Sequence, residues 1–291
     1  MGRLSLNTLV LLWKETIRQW TRHNASRLSA ALAFYALLSM APLLLVTVLV
    51  MGLFFGEEDG RMRTISAVSA IVGKQGTAAL EMLAQSAHRD GDNTLRSLVA
   101  VMVALFGASG VFVELQASLN TIWEVPERPD RPAVLSYLIG RFWSFVMVLA
   151  AAALLLFSVI SSALLTIVTE FFQNFLPGSE VAWHWLHFGV SLSLLSLVFA
   201  LIFRVVPDVA VTWTDVALGS LMTALLFVFG NMLLGEYLGK SGITSSFGGA
   251  GSVVALVIWV YYSAQIVFLG AEFTHVYAKK LGSLQTKDAS S

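Results

Sequence analysis

SGITSSFGGAGSVVALVIWVYYSAQIVFLGA, residues 241–271, contains no Asp, Glu, Lys or Arg, and its reading decides the fold. A helix rises about 1.5 Å per residue, so a hydrocarbon core of about 30 Å asks for about 20 apolar residues. This stretch has that length, and Lys279 and Lys280 follow it. Working outward, runs equally free of these four residues lie at 216–235, 181–203, 142–169, 97–113 and 31–55. Each is a candidate transmembrane helix.

Composition agrees. Hydrophobic residues make up 57% of the 291 and charged residues 12%, too few charges to clothe a soluble domain of this length. Zero net charge removes any bulk attraction to nucleic acid, so no nucleic-acid partner is expected. The absence of cysteine excludes disulfides, thiolate metal sites and cysteine nucleophiles. Residues 1–22 carry Arg3, Lys14, Arg18 and Arg22 with no apolar run before them, which argues against a cleavable signal peptide.

The expected architecture is all-α: a single membrane domain over 1–291 built as a six-helix bundle. The spans are placed at about 28–55, 95–122, 137–169, 182–205, 214–238 and 249–277. Before them, within residues 1–24, Leu6, Leu9, Val10, Trp13, Ile17 and Trp20 recur at helical spacing over 4–22. Lys14, Arg18, Gln19 and Arg22 fall elsewhere on that wheel. That pattern suits either an interfacial helix or an ordinary amphipathic one, and the adjoining span favours the interface. Residues 56–94 read as an outer loop with two short amphipathic helices, and 278–291 as a tail. Pro42 leaves the Leu38 carbonyl without its helical partner, so a hinge or a fixed bend is expected there. Thr212 or Thr214 would cap the fifth span.

Lys and Arg set the orientation. Six spans place the N-terminus, the 123–136 loop, the 204–213 loop and the C-terminus on one side. That side carries twelve basic residues against six on the other. The bias puts both termini in the cytoplasm, with the lipid bilayer as partner and a homo-oligomer open.

Ionisable or strongly polar residues inside a span are functional candidates by default. On the second span these are Glu114, Gln116 and Asn120. Glu114 shares a face with Gly107, Gly110, Ala117, Ser118 and Thr121. On the sixth, Tyr261, Gln265, Glu272 and His275 fall within an arc of about 80°. They line a translocation path or serve as hydrogen-bonders between helices; Glu272 either faces inward or reaches toward Lys279 and the headgroups. Asp208 and Asp215 flank a turn and read as solvated. Glu236 and Lys240 are spaced for an i, i+4 pair. His184 and His187 sit among tryptophans, which favours an interfacial anchor over a metal site. No phosphate loop, zinc-protease or nucleophile-elbow motif occurs, so neither catalytic residues nor a metal or other cofactor are expected.

Four stretches resemble the YihY/BrkB family of bacterial inner-membrane proteins. They are 30–42 (AALAFYALLSMAP), 110–123 (from Gly110-Val111-Phe112 to Leu119-Asn120-Thr121-Ile122-Trp123), 207–219 (from Pro207-Asp208-Val209 through Trp213 to Gly219) and 248–272 (from Gly248 through Trp259-Val260-Tyr261-Tyr262-Ser263-Ala264 to Gly270-Ala271-Glu272). The resemblance implies six transmembrane helices with cytoplasmic termini. It also brings a historical ribonuclease BN label that no residue here supports, a link of some members to virulence or serum resistance, and suggested transport of ions or lipids. Three functions are therefore weighed: a non-enzymatic transporter-like protein of unnamed cargo, a scaffold or assembly factor for the envelope, and, remotely, a membrane-bound nuclease.

Overall fold

The computed structural model describes residues 6–39, 56, 59, 62, 65–66, 110–126, 180–209, 211–240 and 251–284. Six helices stand out among them. These are α1 (Leu6–Arg22), α2 (Ala25–Ser39), α3 (110–122), α4 (Glu180–Val205), α5 (Trp213–Lys240) and α6 (Gly251–Lys280). No strand occurs among the described residues. Pro42, the whole expected span at 137–169 and nearly all of the loop at 56–94 lie outside them.

Three helices contain stretches long and apolar enough to cross a bilayer: Phe188–Val205, Trp213–Tyr237 and Val253–Lys280. Their lipid side is visible on α5. Leu221, Leu225, Val228, Phe229 and Met232, at steps of one to four, are all exposed, and so large an apolar face is stable only against hydrocarbon or a partner. The opposite face, with Val216, Ser220, Thr223 and Ala224, is buried.

α6 is the centre of the described bundle. It packs on α5 and α1 and touches α4. Ala33 of α2 packs against its Leu256 and Val260. Leu119, Ile122 and Trp123, around the end of α3, share the main core with Phe199, Phe203 and Phe268. Every residue from Gly270 to Val276 is buried, so that segment is enclosed on all sides.

α5 and α6 run antiparallel in a register set by small residues. A Cβ at Gly219 would overlap Thr274, and one at Gly270 would overlap Thr223. Each threonine therefore fills the notch left by the glycine opposite. Each also returns its hydroxyl to its own helix. Thr223 Oγ1 donates to the Gly219 carbonyl, and Thr274 Oγ1 to that of Gly270, both at 2.6 Å. This keeps the contact free of unpaired donors. Farther along, Tyr262 approaches Gly230 and Trp259 Nε1 donates to Asn231 Oδ1 at 2.9 Å.

α1 differs from its sequence reading. Its face against the protein is Leu12, Thr16 and Gln19, not the apolar stripe alone. Leu12 packs with Phe273 and Val276 of α6, while Val10 and Ile17 of the stripe stay exposed. The two faces lie about 110° apart on the wheel. The first grips α6; the stripe is divided, with Trp13 also packed on Phe273 of α6 and Val10 and Ile17 left exposed. Gln19, expected on the polar side, is buried because its side of the helix is the docked one.

The turn between α4 and α5 is also less solvated than expected. Asp215 is 3% exposed. It accepts from the Thr212 hydroxyl at 2.7 Å and from the backbone N–H and hydroxyl of Ser283 beyond α6. The Thr212 carbonyl receives the first helical N–H groups, so Thr212 is the cap residue of α5. Asp215 lashes that start to the end of α6. Asp208 is exposed but not free. Asn120 grips it twice: Nδ2 donates to the carboxylate at 2.9 Å, and Oδ1 accepts the Asp208 N–H at 2.9 Å.

Candidate functional site

Two chain corners converge on the enclosed part of α6. The first is His23-Asn24, between α1 and α2, where Asn24 has φ 52°. The second follows α3, where Glu124 has φ 50°. Non-glycine residues in the left-handed region are uncommon and concentrate where a fixed geometry is needed. Each corner closes a helix end. The Asn24 N–H donates to the Thr21 carbonyl, and the Glu124 N–H to that of Thr121. The sharp reversals leave His23, Trp123 and Glu124 against Glu272, His275 and Lys279.

Glu272 is fully buried, at 0% exposure. Its Oε1 lies 2.8 Å from His23 Nδ1. The other imidazole nitrogen, Nε2, is 3.6 Å from Glu124 Oε1. Glu124 in turn meets Lys279 Nζ at 2.5 Å and Arg22 at 3.3 Å. A continuous line of ionisable groups thus runs from a buried carboxylate to the surface. Side-chain exposure rises along it from 0% at Glu272 to 8% at His23, 31% at Glu124 and 67% at Arg22. The Lys279 hydrogen bond, helped by the Arg22 charge, holds the Glu124 carboxyl below its ordinary range against partial desolvation.

His275 occupies the middle of the cluster at 1% exposure. Its ring centre is 5.3 Å from that of Trp123 and 6.5 Å from that of His23. Both of its nitrogens, Glu272 Oε2 and Trp123 Nε1 are buried and have no hydrogen-bond partner among the described residues. Each such atom costs about 1–3 kcal/mol in a packed interior. Four of them around one point mark a region not optimised for stability alone.

The structure divides the sequence-nominated residues. Glu272 and His275 belong to this cluster. Glu272 neither pairs with Lys279 nor reaches outward, because His23 takes its Oε1 and Lys279 goes to Glu124. Gln116 and Asn120 bind Asp208 and so tie the α4–α5 turn to α3. Glu114 is half-buried and accepts from Ser118 at 3.3 Å. Tyr261 and Gln265 are half-buried farther up α6, Tyr261 beside the Ala33–Leu256–Val260 contact. Glu236 and Lys240 form the anticipated pair. The side chains of His184 and His187 lie outside the described residues. Sequence reasoning missed His23 and Glu124. Both flank helix ends and are polar, which alone reads as solvated turn. Among the described residues no group of three or more His, Asp or Glu is arranged to hold a metal ion.

Comparison with known proteins adds the family. A family model described as "Virulence factor BrkB" matches residues 16–291. The "Putative ribonuclease-like protein YfkH" of Bacillus subtilis is 22% identical over 92% of this chain and 95% of its own length. The UPF0761 membrane protein Mpe_A1422 of Methylibium petroleiphilum is 30% identical over 88% of this chain, which spans about 60% of that longer relative. A UPF0761 membrane protein of Pseudoalteromonas atlantica is 24% identical over 91% of this chain and 90% of its own length. No solved structure matches. With apolar helices of bilayer length and a family match over nearly the whole chain, this protein is a membrane protein belonging to the BrkB family.

Proposed function

We propose that this protein moves a cargo, an ion or a lipid, across the bacterial inner membrane, as a non-enzymatic six-span bundle with both termini in the cytoplasm. One observation carries the reading. Glu272 and His275 lie on a helix of bilayer length, sealed from solvent, with polar atoms left unpaired. Ionisable groups are costly within a membrane helix and are kept there for ion or proton pathways and substrate sites. The line through His23 and Glu124 connects Glu272 to one end of the bundle, where α6 finishes in Lys279 and Lys280. The excess of basic residues that six spans would put on that side supports reading it as the cytoplasmic one. Pro42 remains the proposed hinge, and the half-buried Glu114, Tyr261 and Gln265 the proposed continuation of the path. The word ribonuclease in the name of YfkH stays with that protein.

The test is flux in proteoliposomes, with protons, alkali cations, chloride and labelled phospholipid as probes. The wild type should move at least one of them, and Glu272→Gln should slow that flux several-fold. Glu236→Gln, which alters only the exposed pair with Lys240, should not. Equal flux in wild type and Glu272→Gln, or none for any probe, would overturn the reading.

A further inference from the structure

We propose that Glu272, His23 and Glu124 form a proton relay that loads Glu272 from the surface at the Lys279 end of the bundle. This deepens the transport reading by naming the proton as the coupling ion, and its physiological use rests on that reading.

The geometry has the parts a relay needs. A neutral imidazole carries a proton on one nitrogen and a lone pair on the other. His23 points one nitrogen at each carboxylate, 2.8 Å to Glu272 and 3.6 Å to Glu124. Solvent reaches only the outer carboxylate of the pair, since Glu272 is completely buried. A proton from water first binds the Glu124 carboxylate. A short side-chain approach then passes it to His23 Nε2, forming an imidazolium. The Nδ1–H bond breaks, its proton joins Glu272 Oε1, and the ring is left neutral with its proton on Nε2. One proton has entered, one carboxylate has become a carboxylic acid, and Glu124 is again ionised. A change of tautomer, with the Nε2 proton given up and one regained at Nδ1, resets the shuttle.

The surroundings favour transfer over a static ion pair. A permanently ionised buried carboxylate engages both oxygens with donors, yet Glu272 Oε2 has none among the described residues. The groups facing the relay are Arg22 from α1, Lys279 and His275 from α6, and Trp123 beside Glu124. Arg22 and Lys279 both contact Glu124, so the positive charge stays at the outer end. It stabilises Glu124 as the ionised acceptor and leaves the inner end low in charge. The corners at Asn24 and Glu124 are hydrogen-bonded back to the helices they follow and hold His23 and Glu124 in place, and a relay needs that rigidity to keep its hydrogen bonds in line.

The experiment reads the proton directly and needs no flux. The full chain is placed in nanodiscs of phosphatidylethanolamine and phosphatidylglycerol, and infrared difference spectra are followed after a pH jump. The wild type should show a protonated-carboxyl band that Glu272→Gln abolishes. His23→Leu should keep the band at equilibrium but slow its appearance about a hundredfold or more, the scale at which a positioned proton-transfer group acts. His23→Gln, which retains a hydrogen-bond donor but cannot shuttle, should behave likewise and guards against misfolding of the leucine variant. No Glu272 band at any pH, or a band whose rate ignores both His23 variants, would overturn the relay. An intact band and His23 dependence with no flux would sink the transport reading and leave the relay standing.

Discussion

Glu124 is the residue at which three chain segments meet: its own corner after α3, Arg22 at the end of α1 and Lys279 at the end of α6. Its carboxyl is held below its ordinary value, so the sign of its pH effect is fixed. The ionised form contributes stability above the usual carboxylate range, and that contribution is lost as pH falls through the folded value. Glu124→Gln should therefore melt at a lower temperature than wild type at neutral pH, and the gap should close on acidification; thermal unfolding in mild detergent over a pH series measures it. A gap that widens in acid would contradict the assignment. His275 makes the opposite kind of prediction. It is sealed, flanked by Trp123, and unpaired at both nitrogens among the described residues. His275→Phe fills the same space without polar atoms, so the protein should be as stable as wild type to within about 1 kcal/mol, or more stable. A large loss would mean that the imidazole is held by bonds of greater worth than its surroundings suggest.

The helices show what neighbours in sequence decide and what they do not. The expected spans at 182–205, 214–238 and 249–277 correspond to α4, α5 and α6 with only small shifts at the ends, because uncharged length is a local property. The stripe with Glu272 and His275 was legible for the same reason: positions three apart share a helix face. His23 was not, since its partner Glu272 is 249 residues away. Nor was the burial of Asp215, which depends on Ser283 arriving from beyond α6. The docking face of α1 was not legible because hydrophobicity marks two environments at once, protein and lipid, and cannot separate them. The α5–α6 seam rests on two glycine–threonine notches, and this sets an element-scale prediction. Gly219→Val should destabilise the protein by about 1–3 kcal/mol through overpacking on Thr274. Thr274→Ala in the same chain should restore much of the loss, and a double-mutant cycle of thermal stabilities reads the coupling. Independent, additive effects would show that the seam is not packed as described.

At the scale of the whole molecule, antiparallel α5 and α6 place Glu236 at the far end of the bundle from Lys279. Arg22 and Glu124 share the Lys279 end. The account stands on that separation, since a path from one compartment to the other requires the sealed Glu272 cluster to open toward a single side. The absence of native cysteine makes it directly measurable. Single cysteines at Arg22, Lys279 and Glu236 would be probed with a membrane-impermeant maleimide, in intact spheroplasts and in inverted vesicles. The account predicts that Glu236→Cys is labelled from outside in spheroplasts, and that Arg22→Cys and Lys279→Cys are labelled only in inverted vesicles. Labelling of the Glu236 and Lys279 positions from the same face would contradict it.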